Sequence, residues 1–316
     1  MARLIQCWFL LLVLCGNVGW AAPTRLDPGK TWVLVVGVLQ WQFPEVYPSF
    51  PKTNRRDVQL VERLASWGVP REHMVYLQDG AATADAVRKA FARQLRQVQA
   101  GETLIFYYAG HGYRRESDGS FWMAPYDANE LETHFGLNEI AQLLSGFQGS
   151  HLILAGDCCH SGSLRSFVEQ SVWKFGMFAL SSSPAQLSST GNWTFTDSLL
   201  DGLAGEPRAD KNGDGWVSLG ELAAQVERDM LWVENQQAGG SVSPGLSLDT
   251  IWTNSGRSLR PGEGDYVAVL YDRQYWKARV LETGPQGVKV RWVGLAHDYP
   301  DEWVPSSTVM PMPAPR

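Results

Sequence analysis

The sequence predicts an α/β fold, with a mostly parallel central sheet between layers of helices, followed by a small all-β region. Up to residue 253, short apolar runs alternate with segments whose apolar residues recur at helical spacing. The runs at 31–38 and 103–109 are almost continuously apolar, as in parallel strands that are buried on both faces. From residue 261 onward, short strands separated by turn residues replace this alternation. A chain of 316 residues is long enough for both domains.

The elements of the first domain follow from their periodicity. Strands are predicted at 31–38, 74–77, 103–109, 152–155, 177–180 and 246–252, with an edge or hairpin strand at 119–124. Helices are predicted at 54–67, 83–98, 137–144, 195–203 and 221–232, the second of them capped by Thr83. No internal repeat interrupts this alternation, which is typical of a layered α/β sandwich.

The second domain is predicted to contain strands alone. Four short runs rich in β-branched and aromatic residues lie at 266–271, 275–281, 287–293 and 302–305. Turn residues separate them at 272–273 and 284–287. Strands of this length and number favour a small barrel or sandwich.

Composition and the N-terminus narrow the function classes. The net charge is −6 and the basic residues are scattered, which argues against a nucleic-acid-binding protein. Residues 1–22 begin with a positive charge, continue as an apolar run and end on small residues, as in a secretory signal peptide. An uncleaved membrane anchor is the alternative, although the run is short for a spanning helix. We therefore expect a secreted or periplasmic protein without membrane attachment after signal removal.

The cysteines point to chemistry rather than to cross-links. Cys7 and Cys15 leave with the predicted signal peptide, so the mature chain keeps only the adjacent pair Cys158 and Cys159. Such a chain has no disulfide framework. A reactive thiol is a liability in an oxidising compartment, which makes a catalytic reason for keeping it more plausible.

Chemically active side chains follow two of the predicted strands. His111 comes just after the strand at 103–109, and Cys158 and Cys159 follow the strand at 152–155. The carboxyl ends of parallel strands meet at one edge of the sheet, where α/β proteins collect their sites. If these two strands are neighbours, an imidazole and a thiol face each other across one crevice, as nucleophilic catalysis requires.

The alternation of an extended chain favours Cys159 as the nucleophile. Asp157 and Cys159 share one side of such a chain, whereas Cys158 points to the other. A pocket for a basic residue needs a carboxylate beside the nucleophile. Cys158 is then interpreted as a small buried hydrophobic residue.

Together the two motifs resemble those of the caspase-like cysteine peptidases (family C14, clan CD), most closely the metacaspases and their bacterial relatives, the orthocaspases. The sequence YYAGHG at 107–112 is similar to the histidine motif, and DCCHSG at 157–162 to the cysteine motif. Cys159 follows His111 by 48 residues, close to the spacing of about 50 in this superfamily. The resemblance covers about 31–253 and implies a caspase–hemoglobinase-like three-layer sandwich, here in a bacterial cell envelope.

The resemblance also implies a mechanism. Cys159 attacks the scissile carbonyl, and His111 gives a proton to the leaving amine before it activates water. The backbone N–H of Gly112, with that of Cys159, is expected to point at the developing oxyanion. A glycine at this position lets the substrate approach the amide closely. No cofactor is required for this chemistry.

Two acidic positions match the pocket that lets metacaspases cleave after Arg or Lys. They are Asp57, at the start of the first helix, and Asp157, two residues before the nucleophile. A carboxylate pair accepts a guanidinium in bidentate geometry. Asp57 could instead be a carboxylate favoured by the helix dipole, and Asp157 a structural hydrogen-bond acceptor. Ala109 and Asn54 differ from the serine and cysteine of many metacaspases, which leaves the choice between Arg and Lys open.

A twelve-residue stretch at 210–221 matches the spacing of a calcium-binding loop. The candidate ligands are Asp210, Asn212, Asp214, Trp216, Ser218 and Glu221, with a glycine at the sixth position. Helical patterns flank the stretch. The alternative is that Ser218 and Glu221 form a capping box that opens the second helix. The sequence therefore leaves both a calcium site and a purely structural turn open.

The C-terminal region, at about 260–312, follows a linker at 254–259 and resembles an SH3-like barrel of the Tudor, Agenet and chromo-barrel kind. In that group an aromatic cage can hold a methylated cation. Candidate rings come from Tyr271, Trp276, Trp292, Tyr299 and Trp303. The alternative is that these rings fill a very small core, and the barrel's ligand is unknown.

Two functions from different classes follow. The first is a secreted cysteine endopeptidase that cleaves protein or peptide substrates after Arg or Lys, with a C-terminal binding module. The second is a catalytically silent caspase-like scaffold whose barrel binds a partner protein or peptide. The intact pair of His111 and Cys159 favours the first.

Overall fold

The computed structural model describes residues 24–129, 133–255, 261–271, 274–294 and 299–311. The predicted signal peptide at 1–22 lies outside these residues, as does most of the predicted linker at 254–259. No helix in the described ranges is long and apolar enough to cross a membrane.

A six-stranded sheet forms the centre of the first domain. Its strands, in chain order, are β1 (Thr31–Gly37), β2 (Met74–Gln78), β3 (Thr103–Ala109), β7 (His151–Asp157), β8 (Gly176–Ser181) and β10 (Gly239–Val242), and their spatial order is β10-β8-β7-β3-β1-β2. All neighbours are parallel except β10, which pairs antiparallel with β8. The mostly parallel sheet predicted from the sequence is therefore confirmed.

Helices cover both faces of this sheet. They are α1 (Arg56–Trp67), α2 (Ala84–Gln97), α3 (Leu137–Leu144), α4 (Gly162–Glu169), α5 (Thr194–Ala204) and α6 (Leu219–Glu234). One hydrophobic core contains buried residues of α2, α3 and α4, and the other contains those of α1, α5 and α6. Because both faces are buried, β1 and β3 can be apolar almost without interruption. This is the three-layer sandwich expected from the sequence.

The predicted helix caps explain where two helices begin. Thr83 accepts a hydrogen bond from Ala86 N–H at the start of α2, as the sequence predicts. At the start of α6, Ser218 and Glu221 form a reciprocal capping box.

Two small sheets complete the first domain. Strands β4 (Gly112–Arg114), β5 (Phe121–Met123) and β6 (Phe135–Gly136) form an antiparallel sheet, and β9 (Trp216–Ser218) pairs with β11 (Ile251–Asn254). The last strand of this domain thus lies at 251–254, later than the predicted 246–252. Strand β10 was not predicted, because its Gly-Gly-Ser start has the composition of a loop.

The C-terminal region is a five-stranded antiparallel sheet, as a small all-β domain requires. Its strands are β12 (Tyr266–Tyr271), β13 (Gln274–Gly284), β14 (Gly287–Trp292), β15 (Glu302–Val304) and β16 (Val309–Pro311), in the order β15-β14-β13-β12-β16. Valines dominate its core, and Trp292 is the aromatic residue of that cluster. Tyr271, Trp276 and Tyr299 are exposed, so these rings do not fill the core.

Candidate active site

The register of the central sheet brings the two motifs together. In the parallel pair of β3 and β7, Ala109 lies opposite Asp157. His111 and Cys159 each follow two residues later, and Gly110 N–H donates to Asp157 O at 3.3 Å. The two motifs therefore leave the same edge of the sheet on adjacent strands.

His111 and Cys159 line one groove at this edge, with a volume of about 200 Å³. Residues 189–193 form a wall beside Cys159, and the groove is also lined by Leu39, Phe50, Pro51, Ala109, Asp157 and Cys158. The predicted nucleophile, the predicted base and one predicted pocket carboxylate thus share one water-accessible space.

His111 lies in an aromatic enclosure. Its ring centroid is 4.5 Å from those of Trp41 and Phe50, and 5.6 Å from that of Tyr47. Burial among these rings lowers the pKa of His111, so the neutral imidazole is favoured. Its Nε2 lies 2.8 Å from Pro48 O, a carbonyl that can only accept. The proton of the neutral ring is therefore on Nε2, which leaves Nδ1 as the basic nitrogen.

The backbone of His111 is fixed from behind. The Tyr108 hydroxyl donates to His111 O at 2.8 Å and to Ala124 O at 2.9 Å. The loop that carries Pro48 is anchored in turn by the Tyr47 hydroxyl, which lies 3.0 Å from His134 Nε2. None of these contacts was predicted, because they depend on side-chain placement that the sequence pattern does not specify.

Cys159 lines the same groove. Its Sγ accepts a hydrogen bond from Ser189 N–H at 3.2 Å. Within the described ranges, no group accepts a hydrogen bond from the Cys159 N–H. This N–H therefore remains available to stabilise an oxyanion. Cys158, by contrast, is 2% exposed, and burial raises its pKa well above the ordinary range. The two thiols thus differ in environment as the pleating argument anticipated.

Gly112 marks the place where the two motifs touch. A Cβ atom on this residue would lie 2.3 Å from Cys159 O and 2.9 Å from Cys158 Sγ. No larger side chain fits without separating the segments. Gly112 is therefore required for their close approach, and its predicted role as an oxyanion donor stays a prediction.

Buried serines hold the cysteine loop, and the sequence analysis missed them. Cys158 N–H donates to Ser182 Oγ at 3.1 Å, and Ser183 Oγ donates to Cys158 O at 3.0 Å. Ser161 Oγ accepts from the backbone N–H groups of both Ser182 and Ser183. Ser182 and Ser183 directly follow β8, which neighbours β7, so the strand-end rule that pointed to Cys159 could have found them.

Asp157 is a half-buried carboxylate with a strongly perturbed pKa. Removal from water, together with the negative charges of Asp197 and Glu234, raises its pKa to about 7, although hydrogen bonding by Thr196 opposes the shift. Thr196 Oγ1 donates to Asp157 Oδ2 at 2.6 Å and also contacts the Tyr107 hydroxyl at 2.6 Å. The charges that act on Asp157 are thus negative, which suits a site for a cation.

Asp57 does not line this groove, which differs from the predicted carboxylate pair. It is fully buried, and Arg55 binds it in bidentate geometry at 3.0 and 2.6 Å. The Tyr76 hydroxyl donates to it at 2.9 Å, and Arg55 also reaches Asp79 at 2.6 Å. The Asp57 carboxylate, which was expected to bind the guanidinium of a substrate, therefore already binds the guanidinium of Arg55. Arg55 lies only two residues before Asp57 in the sequence and could have signalled this pairing.

The polar side chains of the candidate calcium loop form hydrogen bonds with the backbone of the loop itself. Both carboxylate oxygens of Asp210 and of Glu221 accept hydrogen bonds from backbone N–H groups of the loop or of Ser218. Asp214 Oδ1 accepts from Trp216 N–H at 2.9 Å, and Asn212 Oδ1 accepts from Asp214 N–H at 2.8 Å. In the described part of the chain, no group of three or more His, Cys, Asp or Glu side chains could hold a metal ion. The donor set does not fit calcium in this conformation, and the calcium site stays a prediction from spacing.

Comparison with known proteins agrees with the fold and the motifs. A protein of known structure, GSU0716 from Geobacter sulfurreducens, superposes with a TM-score of 0.54 at 17% sequence identity. The superposition covers 73% of this chain and 100% of that one, and at this identity it shows a shared fold alone. No curated protein shows significant sequence similarity to the chain.

The family model described as "Caspase domain" (Peptidase C14) matches residues 46–251. The match spans most of the sandwich, including both strands that end at the groove. The chain therefore belongs to the caspase-domain family, whose members are cysteine peptidases.

Proposed function

We propose that this protein is a secreted cysteine endopeptidase that cleaves protein or peptide substrates after Arg or Lys. One observation carries the proposal: the Cys159 thiol, the neutral His111 imidazole and the Asp157 carboxylate line the same groove. A nucleophile, a base and a charge-selecting group in one accessible space are what peptide hydrolysis after a basic residue needs.

The chemistry follows from these groups. Cys159 Sγ forms a bond to the scissile carbonyl carbon while its proton passes to His111 Nδ1. The oxyanion is stabilised by the Cys159 N–H and, as the family resemblance implies, by that of Gly112. Collapse of this intermediate breaks the C–N bond, and His111 gives the proton to the leaving amine. The same imidazole then takes a proton from water, which attacks the thioester and frees Cys159 as the acid leaves.

Asp157 is proposed as the main determinant of basic specificity. A guanidinium or ammonium beside it would replace the missing positive partner and favour the ionised carboxylate. Asp57 is a weaker candidate, because Arg55 already neutralises its charge. Specificity for a basic residue thus rests first on one carboxylate rather than on a pair.

Secretion and partner binding complete the proposal. Secretion rests on the signal-like residues 1–22. A role of the C-terminal domain as a binding module rests on its exposed rings, among them Tyr271, Trp276 and Tyr299. Its ligand is not identified by these rings alone.

The test is hydrolysis of three fluorogenic peptides that differ only in Arg, Lys or Asp before the cleaved bond. We expect turnover of the basic peptides by the native protein and none by Cys159→Ala. Cys158→Ser is the matched control, since this neighbouring thiol is buried and should leave turnover largely intact. Faster turnover of the Asp peptide would overturn the specificity. No turnover of any peptide would favour the silent scaffold.

A further inference from the structure

One wall of the groove supplies a hydrogen bond to the reactive sulfur itself. Ser189 N–H donates to Cys159 Sγ at 3.2 Å, whereas Ser189 O, to which a thiol could donate, is farther from the sulfur at 4.0 Å. A donor of this kind binds an anionic acceptor more strongly than a neutral one. The contact therefore favours the thiolate, which is the nucleophilic form, over the thiol.

Among the side chains that hold the segment carrying this amide, Gln236 contacts two of its residues. Gln236 is 9% exposed, and its Oε1 accepts from Thr190 N–H at 2.9 Å. Its Nε2 donates to Ser189 Oγ at 3.2 Å and also to Ser182 O. These contacts, together with that between Ser182 Oγ and Ser189 Oγ at 3.1 Å, tie residues 189–190 to the end of β8, so the position of the Ser189 amide depends in part on Gln236.

The backbone conformation at the end of α6 orients the Gln236 side chain toward this segment. Asn235 adopts a left-handed conformation, with φ of 50°, directly after the helix, and the Gln236 N–H still bonds to Met230 O. Glu234, on the last turn, accepts hydrogen bonds from Asn192 and Thr194. The same helix end thus contacts the wall at 189–193 near both of its ends.

We propose that Gln236 is a positioning residue for the nucleophile: it holds residues 189–190 so that the Ser189 N–H stabilises the Cys159 thiolate. Gln236 acts through this segment and does not itself contact the sulfur. The proposal rests on the proposed function only in taking Cys159 as the nucleophile.

Other groups also act on the charge of this thiol. They are His111 across the groove, Asp157, Cys158, Tyr108 and, behind the wall, Glu234. Each of these side chains is present both in the native protein and in a Gln236 variant, so the comparison of the two measures the effect of the segment.

The test measures the rate at which iodoacetamide alkylates Cys159 as a function of pH, followed by site-resolved mass spectrometry. Gln236→Met fills similar space but has neither the donors nor the acceptor. We expect the midpoint of the rate profile to rise by about one pH unit, with about tenfold slower alkylation below it. If this variant is not soluble, Gln236→Asn, which retains the amide but is one carbon shorter, takes its place.

Gln225→Met is the matched control, because Gln225 is a fully buried glutamine of α6 that bonds to Ser198 O, away from the groove. Its midpoint should equal the native value. An unchanged midpoint in the Gln236 variant, or an equal shift in both variants, would overturn the proposal.

Alkylation needs no peptide turnover, so the two proposals can fail separately. A shifted midpoint in a protein that cleaves no peptide would support the role of Gln236 and remove the peptidase. Peptide cleavage with an unshifted midpoint would leave the peptidase and remove the role of Gln236.

Discussion

The two sides of the groove hold their reactive groups by different physical means. On the imidazole side, His111 is enclosed by apolar and aromatic rings, and one backbone carbonyl, that of Pro48, fixes its proton. On the thiol side, a polar network of serines and one glutamine holds the segments next to Cys159, and the backbone amide of Ser189 contacts the sulfur.

The difference matches the charge that each group has to carry. Apolar surroundings penalise the imidazolium and keep the base neutral before the reaction, whereas hydrogen-bond donors favour a sulfur anion. A base that is ready to accept a proton and a nucleophile that is ready to lose one are both needed for attack. The two environments thus favour the charge state that each group needs. Variants that weaken the surroundings of His111 should therefore affect catalysis differently from variants that weaken those of Cys159.

The largest effect is expected where the two sides meet. In Gly112→Ala the new Cβ would lie 2.3 Å from Cys159 O, so the histidine and cysteine segments must separate. A misplacement of about 1 Å can cost roughly a hundredfold in rate, and we expect at least that loss in kcat/KM. Gly146→Ala is the control, because nothing lies within 4 Å of its Cβ position. Equal activities of the two variants would show that this contact does not set the geometry.

A smaller effect is expected on substrate binding when the pH is lowered, because the charge of Asp157 should influence KM for a cationic substrate. Since the pKa of Asp157 is raised to about 7, its ionised fraction falls as the pH drops through that value. A cationic substrate needs the ionised form, so KM for an Arg peptide should rise about tenfold from pH 8 to pH 6. The matched peptide with uncharged citrulline should show little change. A parallel rise for both peptides would exclude Asp157 as the cause.

The rings around His111 can be removed by substitution without changing the residues that contact the Cys159 thiol. Phe50→Ala exposes the His111 ring, so the pKa of His111, lowered by burial, should return toward its ordinary value of 6.5. Activity requires the neutral imidazole, and the acid limb of kcat, measured at saturating substrate, should therefore move to higher pH. Phe175→Ala, a partly buried ring of the same core away from the groove, should leave the limb in place. A limb that does not move in Phe50→Ala would show that ring enclosure does not set the proton affinity.

The apolar half of this comparison was partly predictable from sequence, whereas most of the polar half was not. Strands β1 and β3 and the helix at 137–144 were predicted because local periodicity specifies them, and β3 delivers His111 to the sheet edge. The aromatic content of the loop at 39–52 was visible, but the carbonyl that fixes the histidine proton belongs to its backbone conformation.

The polar network depends on contacts between residues that are distant in sequence. Gln236 follows Ser182 by more than fifty residues, and no local pattern marks a glutamine after a helix as functional. Asp57 illustrates the opposite limit. The resemblance to metacaspases placed it in the pocket, but the neighbouring Arg55 pairs with it in this chain. A motif transfers the position of a carboxylate but not the charge that surrounds it.

The smallest effect is expected for calcium binding at 210–221. Like the network beside the thiol, this loop is a polar network, and the experiment tests whether its hydrogen bonds leave any ligand free for an ion. Because the carboxylates of Asp210 and Glu221 already accept backbone hydrogen bonds, we expect no tight calcium binding there. Calcium titration by calorimetry should then give the same result for the native protein and for Asp214→Ala. Binding that disappears in the variant would show that the loop rearranges around the ion, with oxygen ligands replacing the amide contacts. The spacing read from the sequence would then have identified a real site.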